Sequence, residues 1–405
     1  MTRLKRSMSR PTILAYYFPD WHIDPRNEKW FGTGWTEWQL LRAATPRFDG
    51  HRQPRVPAVG YSDESDPAVA AAQIELATSH GIDDFLVDYY WYDDGPYLQG
   101  ALDRGLLAAP NADSIEFALM WANHELVDIF PYREASGAAP PRLKDGAIDR
   151  ASFERMVEHV VASYFTRDNY LKVDGRPWFS IYDASTLIAG LGGVAGTADA
   201  LAWFRRRVLE AGFPGLHLDM VVWGFGVLPT AVPVEAGELI EVFEADSATS
   251  YVWVHHIDMA AFDFPVASST ELRECAFAKY EQYARTLPVP FHPNVTVGWD
   301  SSPRVAQNLP FTKGKYPRTP TWDQSPSEFK AALAQAREFI ERHGSPHPVL
   351  TINAWNEWTE GSYLLPDTHN GLVYLGAVKQ VFGIRAERTP APLPSPLRRA
   401  KNDGR

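Results

Sequence analysis

The segment Thr351-Ile352-Asn353-Ala354-Trp355-Asn356-Glu357-Trp358-Thr359-Glu360-Gly361 begins as a strand and ends as a polar and aromatic cluster. Its first residues continue an apolar, β-branched run that starts at Pro348, which is typical of a buried strand. Two amides, two indoles and two carboxylates then follow within eight residues. Carboxylates and amides cost free energy in a core unless they are paired, so packing alone does not explain this ending.

The spacing of Glu357 and Glu360 brings both side chains onto one face of a helical or turn-like segment. Two carboxylates that flank one bond are what glycosidic chemistry requires, one to move a proton and one to assist. The neighbouring indoles of Trp355 and Trp358 offer flat faces on which a sugar ring can pack. A strand end with a capping carboxylate and two core tryptophans explains this stretch equally well, so the rest of the chain has to decide.

Working outward, apolar runs alternate with helical patterns eight times. The alternation predicts helices near residues 66–80, 98–108, 152–165, 198–211, 233–243, 271–287, 325–343 and 372–382. Asp66 with Pro67, Ser152, and Ser325 with Glu328 are the predicted helix starts. The predicted strands are Thr12–Tyr17, Phe85–Trp91, Phe117–Asn123, Pro177–Asp183, Leu218–Gly224, Ala248–Val254, Asn294–Asp300 and Pro348–Ile352.

Strict alternation implies parallel strands joined by right-handed crossovers, either in an open doubly wound sheet or in a closed (β/α)8 barrel. Polar or aromatic residues stand at the carboxyl end of nearly every strand, and only a barrel gathers all of those ends on one face. We therefore predict an α/β fold, a TIM barrel of one domain over residues 11–388 with long loops after its strands. Residues 1–10 and the proline-rich, basic residues 389–405 are predicted to be flexible.

Composition narrows the class of protein. The chain has 405 residues, 14 Trp, 17 Tyr and a formal net charge of −11, which argues against a general nucleic-acid binder. Its one cysteine, Cys275, excludes an internal disulfide and a cysteine metal cluster. No signal peptide follows the basic N-terminus and no run is long enough to span a membrane, so a cytoplasmic protein is expected.

Other chemistries have weak support. The glycines of Gly190–Ala195 match a relaxed dinucleotide pattern but lie too far after their strand to form its tight turn. His255 and His256 are adjacent, so on a strand they point to opposite faces and make a poor metal pair. The sequence has no His-Glu-x-x-His motif and no Asp-x-Asp motif, and we expect neither a metal nor another cofactor.

Six strings carry a family resemblance that runs from Tyr16 to Asp367. The chain resembles the WbsX-like proteins, some of which are described as glycosyltransferases of polysaccharide gene clusters, and these look like relatives of the endo-α-mannosidases of glycoside hydrolase family 99. The resemblance implies a (β/α)8 barrel with its pocket at the strand carboxyl ends. The strings are Tyr16–His22, Gly34–Trp38, Phe48–Arg55, Trp121–Asn123, Gly298–Arg304, and Asn353–Gly361 with Pro366–Asp367.

The resemblance also implies roles for the two glutamates. Glu357 would act as base on the substrate's 2-hydroxyl, which displaces the leaving group and forms a 1,2-anhydro sugar. Glu360 would be the acid for departure and the base for the incoming water. The expected activity is retaining hydrolysis of an α-linked sugar in a poly- or oligosaccharide. The alternatives are a transferase on the same scaffold and a glycan-binding protein without turnover.

Further residues are candidates for substrate binding, each with a structural alternative. Trp35, Trp38 and Trp121 serve equally well as core aromatics, Arg55 has Glu37 as an alternative internal partner, and Asp300 has Arg304. The oligomeric state is left open. The full set of predicted binding residues is Tyr17, His22, Trp35, Glu37, Trp38, His51, Gln53, Arg55, Asp88, Tyr90, Trp121, Asn123, Tyr182, Trp223, Trp299, Asp300, Trp355, Asn356 and Trp358.

Overall fold

A computed structural model describes residues 10–133, 140–224 and 236–385. Eight parallel strands form its centre, and all of them are buried along most of their length. The seventh is divided by Pro293, which has no N–H to donate to the ladder. The strands are β1 Thr12–Tyr17, β2 Asp84–Tyr92, β3 Glu116–Trp121, β4 Arg176–Ile181, β5 His217–Val221, β6 Ser247–Thr249, β7 Phe291–His292 with Asn294–Thr296, and β8 Val349–Asn353.

The strands close into a ring. Each of β1 to β5 pairs in parallel with the next strand along the chain, and β8 pairs with β1. The ring is completed across Pro293, because Phe291–His292 pairs with β6 while Asn294–Thr296 pairs with β8. The prediction of a (β/α)8 barrel is therefore confirmed, and the open sheet is excluded.

Ten α-helices are described, and the longer ones surround the barrel. The predicted loop between β1 and the helix at Pro67 contains two short helices, α1 and α2. The stretch after β2 forms a π-helical turn, Ala101–Gly105, and a 3-10 turn, Leu106–Ala108. The helices are α1 Pro25–Phe31, α2 Trp38–Ala43, α3 Pro67–Ser79, α4 Arg150–Val160, α5 Ala184–Gly190, α6 Val194–Glu210, α7 Ala236–Val242, α8 Ser269–Thr286, α9 Pro326–His343 and α10 Val373–Phe382.

Two of the three predicted helix starts are confirmed. Asp66 caps α3 with Pro67 in its first turn, and Ser325 and Glu328 form a capping box on α9. The predicted cap Ser152 is wrong, because Asp149 caps α4 and accepts a hydrogen bond from the backbone N–H of Ser152 at 2.8 Å. The helix therefore begins three residues earlier than predicted, and Ser152 supplies one of the free first-turn amides that the Asp149 carboxylate satisfies.

Short hairpins extend the rim of the barrel where the site lies. Asn356–Glu357 pairs with Ser362–Tyr363, and Gly298–Trp299 pairs with Trp322–Asp323. The predicted strands that reached Val254 and Asp300 end earlier, at Thr249 and Thr296. The residues beyond those ends form a 3-10 turn, Trp253–His256, and the second of these hairpins.

Three observations concern the chain ends and the helices. Of the predicted flexible N-terminus only Arg10 is described, and its guanidinium binds Asp83 at 2.5 Å. The predicted tail 389–405 lies outside the described residues. Within the described ranges no helix is by itself long and apolar enough to cross a membrane; α5 and α6 reach that length and composition only together, with a 95° bend between them.

Candidate active site

The carboxyl ends of the strands surround a cavity that holds about 870 Å³ of space. Its wall combines carboxylates, tyrosines and histidines with apolar side chains, which is the composition of a site that binds a polar ring. Its polar and aromatic lining residues include Phe18, Asp20, Asp88, Tyr90, His124, Phe130, Tyr182, Tyr251, His255, Trp299, Arg304, Tyr316, Glu357 and Glu360.

The hairpin after β8 positions the two glutamates. Glu357 is on its first strand, and a 3-10 turn, Trp358–Glu360, brings Glu360 round to the same cavity. Gly361 follows with φ of 70°, a left-handed conformation that glycine adopts without strain. The side chains are 2% and 8% exposed, so both carboxyl groups are largely removed from solvent. The peptide bond between Asn353 and Ala354 at the start of this segment is cis.

One guanidinium joins the pair. Arg304 donates from Nη2 to Glu357 at 2.8 Å and from Nη1 to Glu360 at 2.6 Å. Its Nε donates to Glu37 at 2.7 Å, so three buried carboxylates share one positive charge. The planar fork of arginine, with donors in fixed directions, suits such a bridge.

The two glutamates do not have equal hydrogen bonding. Burial raises the pKa of both carboxyl groups, and Arg304 opposes that rise in each. Glu360 has a second donor, the hydroxyl of Tyr316 at 2.7 Å, which also lowers its pKa. Burial and the repulsion between the two negative charges both favour a protonated carboxyl group in the Glu357–Glu360 pair.

A further buried carboxyl group, that of Asp88, also lines this cavity. Asp88 Oδ2 accepts from the Tyr251 hydroxyl at 3.0 Å, while Oδ1 is buried and has no hydrogen-bond partner among the described residues. Burial raises the pKa of Asp88, and the charge of Glu360 adds to the effect. Oδ1 is thus a polar atom of the cavity wall whose partner a ligand can supply.

Two histidines in the wall are held neutral. Burial lowers the pKa of His124 and lowers that of His255 further, with neighbouring histidines contributing to the second. His255 Nε2 lies 3.2 Å from the Tyr182 hydroxyl, and its ring stacks on Trp223 with centroids 3.8 Å apart. Neither ring adds positive charge to the cavity near neutral pH.

Six of the predicted site residues meet in this cavity. They are the two glutamates and four of the predicted binding residues, and the six belong to or follow four different strands, β2, β4, β7 and β8. Convergence from separate strands is the geometry of a barrel active site. The six are Asp88, Tyr90, Tyr182, Trp299, Glu357 and Glu360.

A second group of predicted residues lies beneath the pair, around the buried carboxylate of Glu64. Glu64 accepts from the Tyr17 hydroxyl at 2.7 Å, from Asn356 at 2.8 Å and from Gln73 at 2.9 Å. The Trp355 indole donates to Gln73 at 2.9 Å. Tyr17, Asn356 and Trp355 therefore support the base of the hairpin and do not line the cavity.

A third group of the predicted residues lies next to the backbone of Glu360. Asp300 accepts from Gln53 at 2.7 Å and lies 2.8 Å from His51 Nε2, and its backbone N–H donates to the carbonyl of Glu360 at 2.5 Å. Although burial opposes it, His51 lowers the pKa of Asp300 well below the usual range. These residues fix the turn that carries Glu360.

Two alternative pairings considered from the sequence are not found. Arg55 donates to Asp323 at 2.8 Å, and Arg304, not Arg55, binds Glu37. Asp300 binds His51 and Gln53, not Arg304.

The remaining predicted binding residues pack in the wall or outside the cavity. Asn123 bonds to the backbone of Asp183, the Trp121 indole donates to the backbone of Trp91, and Trp358 stacks on Tyr363. His22 Nδ1 lies 2.8 Å from the carbonyl of Pro19, and burial lowers its pKa. Both ends of the amide of the predicted binding residue Asn123 bond to the backbone of Asp183, since Asn123 Oδ1 also accepts from the N–H of Asp183 at 2.8 Å. Glu37, Trp38 and Trp223 lie one layer behind the lining, and Trp35 lines a neighbouring cleft.

Several lining residues were not singled out from the sequence as binding residues. Arg304 was considered only as a partner of Asp300, and His255 only as a poor metal ligand. Tyr316 carried no signal, because it lies in a loop with no apolar periodicity. Tyr251 lies within the predicted strand Ala248–Val254, where it has the same signature as a core aromatic residue. Asp20 had one signal, since it stands in the string Tyr16–His22 at the end of the first strand.

Within the three described ranges, no group of three or more His, Cys, Asp or Glu side chains is arranged to hold a metal ion.

Comparison with solved structures finds proteins of the same barrel fold. A glycoside hydrolase-like protein superimposes with a TM-score of 0.60 at 14% identity, covering 95% of this chain and 97% of that one. The GH99 endo-α-mannosidase from Bacteroides thetaiotaomicron superimposes with a TM-score of 0.51 at 14% identity, covering 91% and 96%. These similarities establish the barrel fold.

Sequence comparison identifies curated relatives and a family. The chain is 28% identical over 373 residues to a protein called WxcX from two strains of Xanthomonas campestris pv. campestris, covering 92% of this chain. It spans about half the length of these relatives, 49%. The model of the family described as glycosyltransferase WbsX matches residues 13–378. The chain therefore belongs to the family described as glycosyltransferase WbsX.

Proposed function

We propose that the protein is a retaining glycoside hydrolase that acts on an α-linked sugar of a poly- or oligosaccharide. The observation that carries the proposal is the placement of Glu357 and Glu360 in one cavity with a single guanidinium between them. The guanidinium nitrogens are a fixed short distance apart, so the two bound oxygen atoms lie within about 8 Å of each other. Both carboxyl groups can therefore reach one sugar ring.

In the first half of the reaction, Glu357 takes the proton of the substrate's 2-hydroxyl as that oxygen attacks C1. The bond from C1 to the leaving oxygen breaks, and Glu360 donates its proton to that oxygen. The product of this step is a 1,2-anhydro sugar, with a protonated Glu357 and an ionised Glu360. Each carboxyl group moves one proton, which is general acid–base catalysis.

In the second half, the Glu360 carboxylate takes a proton from water as the water oxygen attacks C1. The bond from C1 to O2 breaks, and O2 recovers its proton from Glu357. Two inversions at C1 give net retention, and both glutamates return to their starting protonation states.

This mechanism restricts the substrate. The 2-hydroxyl must approach C1 from the face opposite the leaving group, so the two oxygens must be trans across the C1–C2 bond. Among α-linked pyranosides this requires the manno configuration at C2 and excludes the gluco configuration. Mannosides and rhamnosides are therefore the first substrates to test.

The charge of the cavity favours hydrolysis over transfer from a sugar nucleotide. Among the described lining residues the carboxyl side chains are Asp20, Asp88, Glu125, Glu357 and Glu360, and the guanidinium is that of Arg304, already bonded to three carboxylates. A diphosphate needs cations or helix N-termini, and this wall would repel it. The second candidate, which the family description favours, is transfer of a sugar from a glycan donor to an acceptor hydroxyl that takes the place of water. A binding protein without turnover would have no use for the bridged acid pair.

The test is incubation with α-linked manno- and rhamno-oligosaccharides and with their 2-deoxy analogues, while NMR follows the anomer that forms first. The expected result is an α product from the 2-hydroxy substrates and no reaction of the 2-deoxy analogues, which have no internal nucleophile. A first-formed β anomer, or hydrolysis of a 2-deoxy analogue at a similar rate, would contradict the proposal.

A further inference from the structure

A second cleft adjoins the catalytic cavity and is separated from it by one ring. It holds about 1190 Å³ of space, and Phe130 lines both spaces. The segment around Arg304 also contributes to both spaces. Arg304 lines the catalytic cavity, and its neighbours Pro303 and Val305 line the cleft. A glycan whose scissile bond lies at Glu357 and Glu360 can therefore continue into this cleft.

The floor of the cleft is fixed by backbone hydrogen bonds. The N–H of Tyr132 donates to the carbonyl of Arg304 at 2.6 Å, and the N–H of Ala306 donates to the carbonyl of Tyr132 at 3.0 Å. The same pairing holds Arg304 in place below the catalytic pair. The spacing between cleft and cavity is thus set by one short ladder and not by mobile side chains.

Aromatic rings form one wall. Phe31 and Trp35 lie with ring centroids 4.5 Å apart, and Phe31 and Phe130 lie 5.8 Å apart. Trp30, Phe31 and Phe130 are each only partly buried although they are large apolar side chains. Partly open aromatic faces beside a polar cavity are what the C–H face of a pyranose packs against.

Polar groups face these rings. Gln39 and Asn308 line the cleft with exposed amides. Asp128 also lines it, and its Oδ1 is buried with no hydrogen-bond partner in the part of the chain that the structure describes. An unpaired buried acceptor gains the most from a hydroxyl donor, so Asp128 is the expected polar contact.

We propose that this cleft is a second sugar subsite, which holds the part of the glycan chain next to the unit bound at Glu357 and Glu360. The proposal rests on the proposed function for the identity of the first site. It assigns the cleft to a hydroxyl-rich sugar unit, recognised by the aromatic rings of Phe31 and Phe130 and by Asp128. Its consequence is that a chain of several sugars binds more tightly than one sugar.

The test measures binding, so it does not depend on turnover. Titration calorimetry on the Glu357→Gln variant compares α-linked tetrasaccharides of mannose and of rhamnose with the methyl α-glycosides of the same sugars. We expect a tetrasaccharide to bind at least tenfold more tightly than its monosaccharide. Adding Phe31→Ala should reduce that advantage about two- to tenfold, the range for loss of one aromatic contact.

A second variant guards against disturbed packing near Phe31. Asp128→Ala removes a carboxyl group whose Oδ1 has no hydrogen-bond partner among the described residues, so the fold should be kept, and the tetrasaccharide should lose about tenfold in affinity. The matched control is Trp203→Ala, a partly buried tryptophan on α6 that packs under Arg150, which should leave both affinities as in the parent.

Failure of every tetrasaccharide to bind better than its monosaccharide would overturn the subsite. Equal weakening of mono- and tetrasaccharides by Phe31→Ala and Asp128→Ala would also overturn it. Preferential tetrasaccharide binding without any hydrolysis by the unmodified protein would instead retain the subsite and reject the hydrolase. The two proposals therefore fail on different measurements.

Discussion

Arg304 determines how charge is distributed in the catalytic cavity. It binds Glu37 outside the cavity and the pair Glu357 and Glu360 within it. Glu360 has one donor more than Glu357, which stabilises its ionised form in the free protein. Glu360 has to be protonated to act as the acid. The bound substrate must therefore form a hydrogen bond with the Glu357 carboxylate or take over one of the hydrogen-bond donors of Glu360.

This balance predicts the effect of Tyr316→Phe. The Tyr316 hydroxyl lowers the pKa of Glu360 against the rise caused by burial, so its removal should raise that pKa. An acid must be protonated to work, so the high-pH limb of kcat/KM should move to higher pH, by about half to one pH unit for one hydrogen bond. Tyr61→Phe, outside the cavity, is the control. A limb that stays in place or moves to lower pH would contradict the role of Glu360 as acid.

At the scale of elements, one buried carboxylate connects three parts of the barrel. Glu64 binds Tyr17 at the end of β1, Gln73 on α3 and Asn356 in the catalytic hairpin. Burial raises the pKa of Glu64 to about 7, although its three hydrogen bonds oppose the rise. The hairpin is thus joined to the barrel through a group that titrates near neutral pH.

The linkage of Glu64 to stability has a defined sign. An unfolded glutamate has a pKa near 4.3, so the folded protein holds this proton more tightly. The contribution is fully present below pH 4.3 and is lost as pH rises through about 7, a change on the order of 3 kcal/mol in the free energy of unfolding. Thermal melts of Glu64→Gln should therefore fall less between pH 5 and 8 than those of the parent protein. Glu75→Gln on the exposed face of α3 is the control, and parallel pH curves for Glu64→Gln and the parent would refute the linkage.

The same elements show how much of the fold was predictable. The alternation of strands and helices, together with the helix caps Asp66 and Ser325, predicted the barrel. Periodicity and capping are local signals, so they can be recognised in the sequence. The helix α2 was missed, since its first turn has no side-chain cap. The helix α1 does have the local signal Asp24 with Pro25, which the sequence analysis did not use.

The site was predictable only where it follows strands. Asp88, Tyr90, Tyr182, Glu357 and Glu360 stand at or close after strand ends, so the barrel brings them together. Arg304 and Tyr316 reach the cavity on long loops after β7, whose path no periodicity specifies. Too many tryptophans were predicted to bind substrate. A tryptophan packed in the core and one that packs against a sugar ring have the same sequence signature.

For the whole molecule, the described residues bring acids, an arginine and tyrosines to one barrel face without a cluster of metal ligands. We therefore predict that turnover does not need a metal. Activity measured after exhaustive treatment with EDTA should equal that of the untreated enzyme. Loss of activity that Mn²⁺ or Mg²⁺ restores would contradict this and would favour transfer chemistry.

The central claim is that Glu357 is the base toward the 2-hydroxyl and Glu360 is the acid. It is tested most directly by kcat/KM of Glu357→Gln and Glu360→Gln on a natural glycan and on an activated aryl glycoside, with melts to control for folding. Glu357→Gln should nearly abolish turnover of both substrates, because the internal nucleophile is never activated. Glu360→Gln should lose about 10²–10⁴-fold on the glycan and much less on the aryl glycoside, whose phenolate leaves without protonation. Full activity of either folded variant, or equal losses of Glu360→Gln on both substrates, would contradict the account.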